Sequence, residues 1–314
     1  NAPETKAWVQ AQNQVTNAYL SKIPYREGMR KRIEQLWNYE KFSAPSRKSG
    51  NYFYYYNDGL KNQSVLYHQP GKDAPAKVLL DPNTFSADGT TSLSHFSPRK
   101  AGDLAVYGVS EAGSDWNTFY VLDIQTGKKR EDILKWIKFS GASWHKDGFY
   151  YTRFDAPKAG DELKGQNEGQ KVYYHKLGTP QEQDILIHAD PANPKRYYGA
   201  EVTDDEHYLL LSITEGASGN NALHYRDLTD ARMTAFRPLV ATFDYSFDVV
   251  GTMGNLMLVL TNHNAPHYKL IAIDPTRPDP AYWTTLIPEP KDEVLQRVTP
   301  AGKHLLVTTI KDVA

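Results

Sequence analysis

Two serines stand beside glycines in a way that invites a nucleophile: Gly113-Ser114-Asp115-Trp116 and Gly216-Ala217-Ser218-Gly219-Asn220. A hydrolase serine of the α/β type needs a sharp strand-to-helix elbow, usually Gly-x-Ser-x-Gly. Neither run has that spacing, and both fall where a β-hairpin is expected, so each reads as a polar turn. His263 and His267 are four apart, which on a helix would aim two imidazoles at one metal. Pro266 lies between them and the context is a hairpin, so a solvated turn is expected. Asp204-Asp205-Glu206 reads the same way. No His-Glu-x-x-His occurs, and no glycine-rich phosphate loop leads into a helix. The 314 residues contain no cysteine, which removes disulfides, thiolate nucleophiles and Cys-ligated zinc. These residues assemble no self-contained catalytic centre and call for no metal and no cofactor.

What would position such groups is a repeat. The first 37 residues read as helix: Pro3-Glu4 is a start signal, and Trp8, Ala11, Val15, Ala18 and Tyr19 recur at helical steps. Ile23-Pro24 ends that segment, and a second helix is expected from about Arg26 to Trp37, with Met29, Ile33 and Trp37 on one face. After Tyr39, short apolar-aromatic runs alternate with Gly, Asp, Asn and Pro turns. A turn, usually glycine, feeds a strand at Gly50, Gly102, Gly148, His207, Gly254 and Gly302, with gaps of 52, 46, 59, 47 and 48 residues. A second marker closes the following hairpin, at Leu66–Gly71, Val121–Gly127, Tyr173–Gly178, His224–Asp230 and Leu270–Thr276. The long gap has a local cause, the polar insertion Lys158–Gln170. A period of roughly 40–50 residues holding four short strands is the signature of a β-propeller, and accidental spacing in a β-sandwich is the bland alternative. The sixth copy stops at Lys311-Asp312-Val313-Ala314, inside a blade. That, with a start at Asn1 lacking Met and any leader, suggests a piece of a longer polypeptide.

Charge narrows the partners. There are 36 Lys+Arg against 37 Asp+Glu, without the basic stripe of a nucleic-acid binder. The longest apolar runs, such as Leu256–Leu260, fall far short of the ~20 residues that span a bilayer. A soluble chain is expected, in cytoplasm or periplasm. In a propeller the innermost strand of each blade starts on the face to which the loop between strands two and three returns. This puts Asp115, Phe139, Tyr197 and Ala217 near one face, where aromatic groups can wall a small pocket.

The run Tyr52–Tyr67 resembles the first blade of prolyl oligopeptidases. So do Leu80–Asn83, Asp88-Gly89-Thr90, Ser114-Asp115-Trp116, Lys138-Phe139-Ser140 before Trp144, and Gly199-Ala200-Glu201 before Leu209–Ile213. The helical Ala7–Asn13 resembles the N-terminal segment of that family. The resemblance implies an all-β, seven-bladed type of propeller, incomplete in this chain, behind a short α-helical segment. It implies domains 1–39, a helical arm, and 40–314, about five and a half blades, with the α/β-hydrolase domain absent. It implies a serine peptidase that cleaves short peptides after proline, with the propeller gating access and completing the substrate pocket. Carried over by motif, the substrate-binding residues are Phe139, Tyr197 and Ala217. Phe139 matches the family type, whereas Tyr197 and Ala217 stand where some members have Met and Cys, and Thr214 where some have Arg. The implied partners are short proline-containing peptides and the hydrolase domain of the same polypeptide, in a monomer. No catalytic residue is assigned, because the nucleophile motif and the triad Asp and His are not found in the sequence.

The competing reading is a stand-alone propeller that binds peptides without catalysis. The 314-residue chain by itself is expected not to cleave a chromogenic prolyl peptide, and turnover by the pure chain would refute this reading.

Overall fold

The computed structural model describes residues 2–312, so the expected stop at Val313-Ala314 lies outside the described residues. The chain divides into two compact units, 1–92 and 93–314.

In the first unit, helices α1 (Pro3–Leu20) and α2 (Arg26–Trp37) form where the helical spacing predicts them, α1 starting on Pro3 at its first position. Their apolar side chains lie open: Trp8, Tyr19, Met29, Ile33 and Trp37 are all exposed. A five-stranded sheet follows, with Lys41–Phe42 and Ser46–Lys48 both pairing Asn51–Asn57, then Val65–Pro70 and Lys77–Leu80. Lys41 Nζ ties the two parts together by donating to the carbonyls of Trp37 (2.7 Å) and Gly59 (2.8 Å).

In the second unit, four antiparallel sheets follow one another, each meandering in chain order. Their strands run from Ser92–Pro98 to Lys129–Ile137, Ser143–His145 to Ile185–His188, Arg196–Val202 to Arg237–Val240, and Phe247–Met253 to Thr284–Ile287. A two-stranded hairpin, Val294–Ala301 with His304–Ile310, comes last. The strands expected after the turn markers form at Asn51–Asn57, Leu104–Ser110, Gly148–Arg153, Tyr208–Glu215, Leu256–Thr261 and His304–Ile310.

The blade count differs from the expectation. The described residues build five blades, not seven, plus the terminal hairpin. The number seven came from resemblance alone. The repeat, one sheet per ~50 residues, supports only the five that form.

Three of the closing markers share a physical cause. Asp123 and Asp227 end their third strands, and Asp274 stands one residue past its own. Oδ1 of each accepts from a threonine amide and hydroxyl just beyond, at Thr126 (2.8 and 2.8 Å), Thr229 (2.8 and 2.6 Å) and Thr276 (2.9 and 2.7 Å). The Asp side chain mimics a backbone turn. These bonds hold the carboxylates of Asp123 and Asp274 below the ordinary range. Gly148 is needed because a Cβ there would lie 2.0 Å from the His175 carbonyl oxygen across the hairpin.

The second strands read as unbroken apolar runs because both faces are covered. Leu104–Ala105–Val106 and Leu209–Leu210–Leu211 are buried throughout. Between the second and third blades pack Val106, Val121, Leu134, Ile137, Phe149 and Tyr151. Between the fourth and fifth pack Leu210, Leu223, Met257, Val259 and Ile271. One polar link also joins blades two and three. His175, fully buried, meets Asp184 Oδ1 through Nδ1 (2.7 Å) and Asp132 Oδ1 through Nε2 (3.1 Å). Asp184 Oδ2 accepts from the Tyr151 hydroxyl at 2.6 Å.

Burial works to strip the His175 proton, but the hydrogen bond and charge of Asp184, then those of Asp132, outweigh it and the net shift is upward. A raised histidine stabilises the fold fully below its unfolded value, and that stabilisation is lost as pH rises through the folded value. His175→Ala strands two buried carboxylates and is expected to cost about 3–5 kcal/mol, measured by urea unfolding near pH 6. The deficit relative to wild type should narrow as pH rises above neutrality.

Candidate functional site

All of the residues that follow belong to the second unit. Phe139 follows the strand Lys129–Ile137, and Tyr197 opens the inner strand Arg196–Val202. Their rings meet edge to face, with centroids 5.7 Å apart and planes at 86°, a favoured quadrupole arrangement. Phe139 is 58% exposed and sits at φ 54°, a left-handed conformation that bulky side chains seldom adopt. Trp136, three residues earlier, is also left-handed, at φ 62°. Trp136 falls at an irregularity within the strand, after which Ile137 still pairs with Asn117, and Phe139 stands just beyond the strand end.

Behind the pair lies a cluster of rings. Phe154 is 6.3 Å from Tyr197 and 6.0 Å from Trp116, and Trp116 meets Trp136 edge on at 5.6 Å. Lys138, buried, lies over Trp116 at 4.0 Å. The insertion between the second and third strands of this blade returns to bind the cluster. The Tyr197 hydroxyl donates to the Asn167 carbonyl (3.2 Å), Lys138 Nζ donates to Asn167 Oδ1 (3.0 Å), and Trp116 Nε1 donates to the Glu162 carbonyl (2.6 Å). Buried Gln170 closes the network. Its amide nitrogen donates to the Lys138 carbonyl and the Thr152 hydroxyl, and its oxygen accepts from Tyr198 N at 2.7 Å.

The structure therefore brings Phe139 and Tyr197 together. Ala217 it leaves exposed on the turn between Tyr208–Glu215 and Asn221–Asp227, with no hydrogen bond or ring contact to that pair among the described residues. Thr214 is the cross-strand partner of Tyr197, and Glu215 pairs with Arg196 at 2.6 Å. Ser114 and Ser218 are turn residues, their hydroxyls accepting from Trp116 N and Asn220 N. His263 departs from the expected solvated turn. It is half-buried, with its ring 4.8 Å from Tyr245 and 5.1 Å from Trp283. Among the described residues no group of three or more His, Asp or Glu could hold a metal ion, and no helix is long and apolar enough to cross a membrane.

The inner strands of the second to fifth blades line a cavity of about 320 Å³, walled in part by His95, Ser143, Glu201, Ser212, Phe247 and Asp248. Its charged lining is acidic. Glu201 and Asp248 are exposed to the cavity, whose walls displace part of the water around their carboxyls. Burial pushes the Glu201 carboxyl up, helped by the charges of Asp248 and Asp204, and burial does the same to Asp248. Burial lowers His95. Sequence reading missed these carboxylates and the clamp of Lys138, Asn167 and Gln170. The only signal was the polarity of the insertion.

Comparison with known proteins matches residues 1–314 to the family described as prolyl oligopeptidase, N-terminal beta-propeller domain. The chain is 42% identical to a prolyl endopeptidase of Elizabethkingia meningoseptica, covering 99% of this chain and 43% of that protein. It is 32% identical to a dual function macrocyclase-peptidase of Amanita bisporigera, covering 99% and 46%. A solved structure of prolyl oligopeptidase B from Galerina marginata, bound to a 25mer macrocyclization substrate, superposes with a TM-score of 0.89 at 30% identity, covering 98% of this chain and 46% of that one. The chain thus spans less than half the length of the curated relatives it matches.

A carboxyl raised on folding resists ionisation, so it weakens the fold at pH values above its folded pKa and not below its unfolded one. Glu201→Gln is accordingly expected to raise Tm at pH 8, with the gain vanishing toward pH 4. A pH-independent shift in calorimetry would show that the side chain acts by packing instead.

Proposed function

The chain belongs to the prolyl oligopeptidase family, and from that premise we propose that it serves as the gating and pocket-forming propeller of a serine peptidase acting on short proline-containing peptides. The observation that carries this reading is the Phe139–Tyr197 pair, an exposed edge-to-face aromatic step on a left-handed backbone. An isolated exposed ring gains little from folding, and strained backbone tends to gather at functional sites. Such a step offers an apolar wall to a flat, apolar ring such as proline, while the clamp from the insertion keeps Tyr197 from turning away.

In this reading the bond-breaking groups come from a hydrolase domain of the same polypeptide. A serine attacks the scissile carbonyl, a histidine takes its proton, and an aspartate orients the histidine. The propeller contributes no proton transfer. Its inner strands admit an extended peptide and exclude a folded one, because threading a globular protein would require its unfolding. Ala217 belongs to the same proposal as a small residue that leaves room beside the ring pair.

The test is Phe139→Ala in the full-length enzyme. Loss of one apolar aromatic contact should weaken transition-state binding of a prolyl peptide by on the order of 1–3 kcal/mol in kcat/KM, with unfolding unchanged because the side chain is exposed. Phe139→Leu should recover part of the loss. Unaltered kinetics in both variants would return Phe139 to a purely structural role.

A further inference from the structure

The opposite ends of the inner strands gather a second, separate cavity. It has a volume of about 230 Å³ and is lined by Arg99, Lys100, Ala101, Trp144, His145, Lys146 and Glu206. These residues come from the first turns of three successive blades. The turns are pinned to one another: Lys100 Nζ donates to the Asp204 carbonyl at 2.6 Å, and the amide of Val202 donates to the Ser143 hydroxyl at 2.8 Å. The cavity is therefore a feature of the stacked blades and not of one mobile loop.

Its lining carries three cations and one carboxylate. Arg99 is engaged by Asp103 and lies 5.8 Å over the Trp144 ring. Lys100 is 4.0 Å from Glu206. Lys146, at φ 51° on its turn, has no carboxylate partner among the described residues. The independent observation is His145. It retains 8% exposure, and its Nδ1 finds no hydrogen-bond partner. Nε of Arg226, whose charge acts on His145, is likewise buried without a partner. Buried polar atoms left unpaired are uncommon and ask for a missing group. The orphaned imidazole nitrogen of His145, on the wall of a cavity with an excess of cations, asks for a partner with negative charge.

We propose that this cavity binds a compact oxyanion, a carboxylate or a phosphate, through Lys146, Lys100 and His145, with the Trp144 ring as one wall. The chemistry is that of charge-assisted hydrogen bonds from converging donors. Two sources present it, the carboxylate end of a short peptide and free inorganic phosphate.

The experiment is titration calorimetry on the full chain in chloride buffer at fixed ionic strength. The probes are inorganic phosphate, a short peptide with a free C-terminal carboxylate, and the same peptide as its C-terminal amide. Saturable binding of phosphate or of the free peptide, with none by the amide, is expected. Competition between the two probes assigns the peptide end as a source, and binding of phosphate alone assigns the free anion. Lys146→Gln lies on an exposed turn and should lower the affinity about tenfold, the equivalent of one charge-assisted bond. Lys100→Gln should act in the same direction. Flat titrations with both anions would overturn the proposal, because water would then satisfy His145. So would equal binding of the amide, or wild-type affinity in both variants.

Discussion

Everything in the second unit rests on one constraint: a four-stranded sheet whose second strand is apolar on both faces cannot bury itself. Leu104–Ser110 and Tyr208–Glu215 bring large side chains to both sides of their sheets. Water is excluded from them only when both faces are covered. The clusters between blades are therefore both the core and the alignment device. They fix how far each sheet turns from the next, and so where each loop ends. The Phe139–Tyr197 step exists because of this stacking, since Phe139 lies on the connection leaving the second blade and Tyr197 on the inner strand of the fourth.

Polar groups add registration to that apolar stacking. The link of His175 to Asp132 and Asp184 spans two blades with no solvent, and Gly178 N and the Tyr151 hydroxyl complete it. Removing charge from water costs several kcal/mol per ion, so such a cluster contributes specificity more dependably than stability. Gln170 plays a comparable part nearer the surface. One side-chain amide serves the Lys138 carbonyl, the Thr152 hydroxyl and the Tyr198 amide, joining the insertion to two sheets. The aromatic step is therefore held by polar groups that lie behind its rings.

Much of this was legible in the residues. The turn-and-strand markers could be read because most have a local cause: a left-handed backbone at Gly50, Gly102, Gly254 and Gly302, a Cβ collision at Gly148, or an aspartate that caps its own turn. The two helices followed from apolar spacing together with the Pro3-Glu4 start and the Ile23-Pro24 stop. The blade number was not legible, since a repeat of sheets carries no statement of how many close a ring, and the borrowed figure of seven gave way to five. The pairing of Phe139 with Tyr197 was legible only as a shared face. Phe139 makes that contact from a left-handed backbone, which no propensity suggests for such a side chain. The carboxylates of Glu201 and Asp248 were hidden for another reason. They are far apart in sequence, and only the convergence of inner strands makes them neighbours across water. His263 looked like a surface residue and proved to be one ring of an aromatic group.

The backbone at Phe139 has a consequence for how this position can vary over evolutionary time. A left-handed residue tolerates glycine best and β-branched side chains worst. Glycine, the residue the main chain prefers, would abolish the contact with Tyr197. Valine and isoleucine, which could rebuild some of it, fit the main chain poorly. The main chain and the ring contact thus make opposing demands at this one position, met together only by unbranched or aromatic side chains large enough to reach Tyr197.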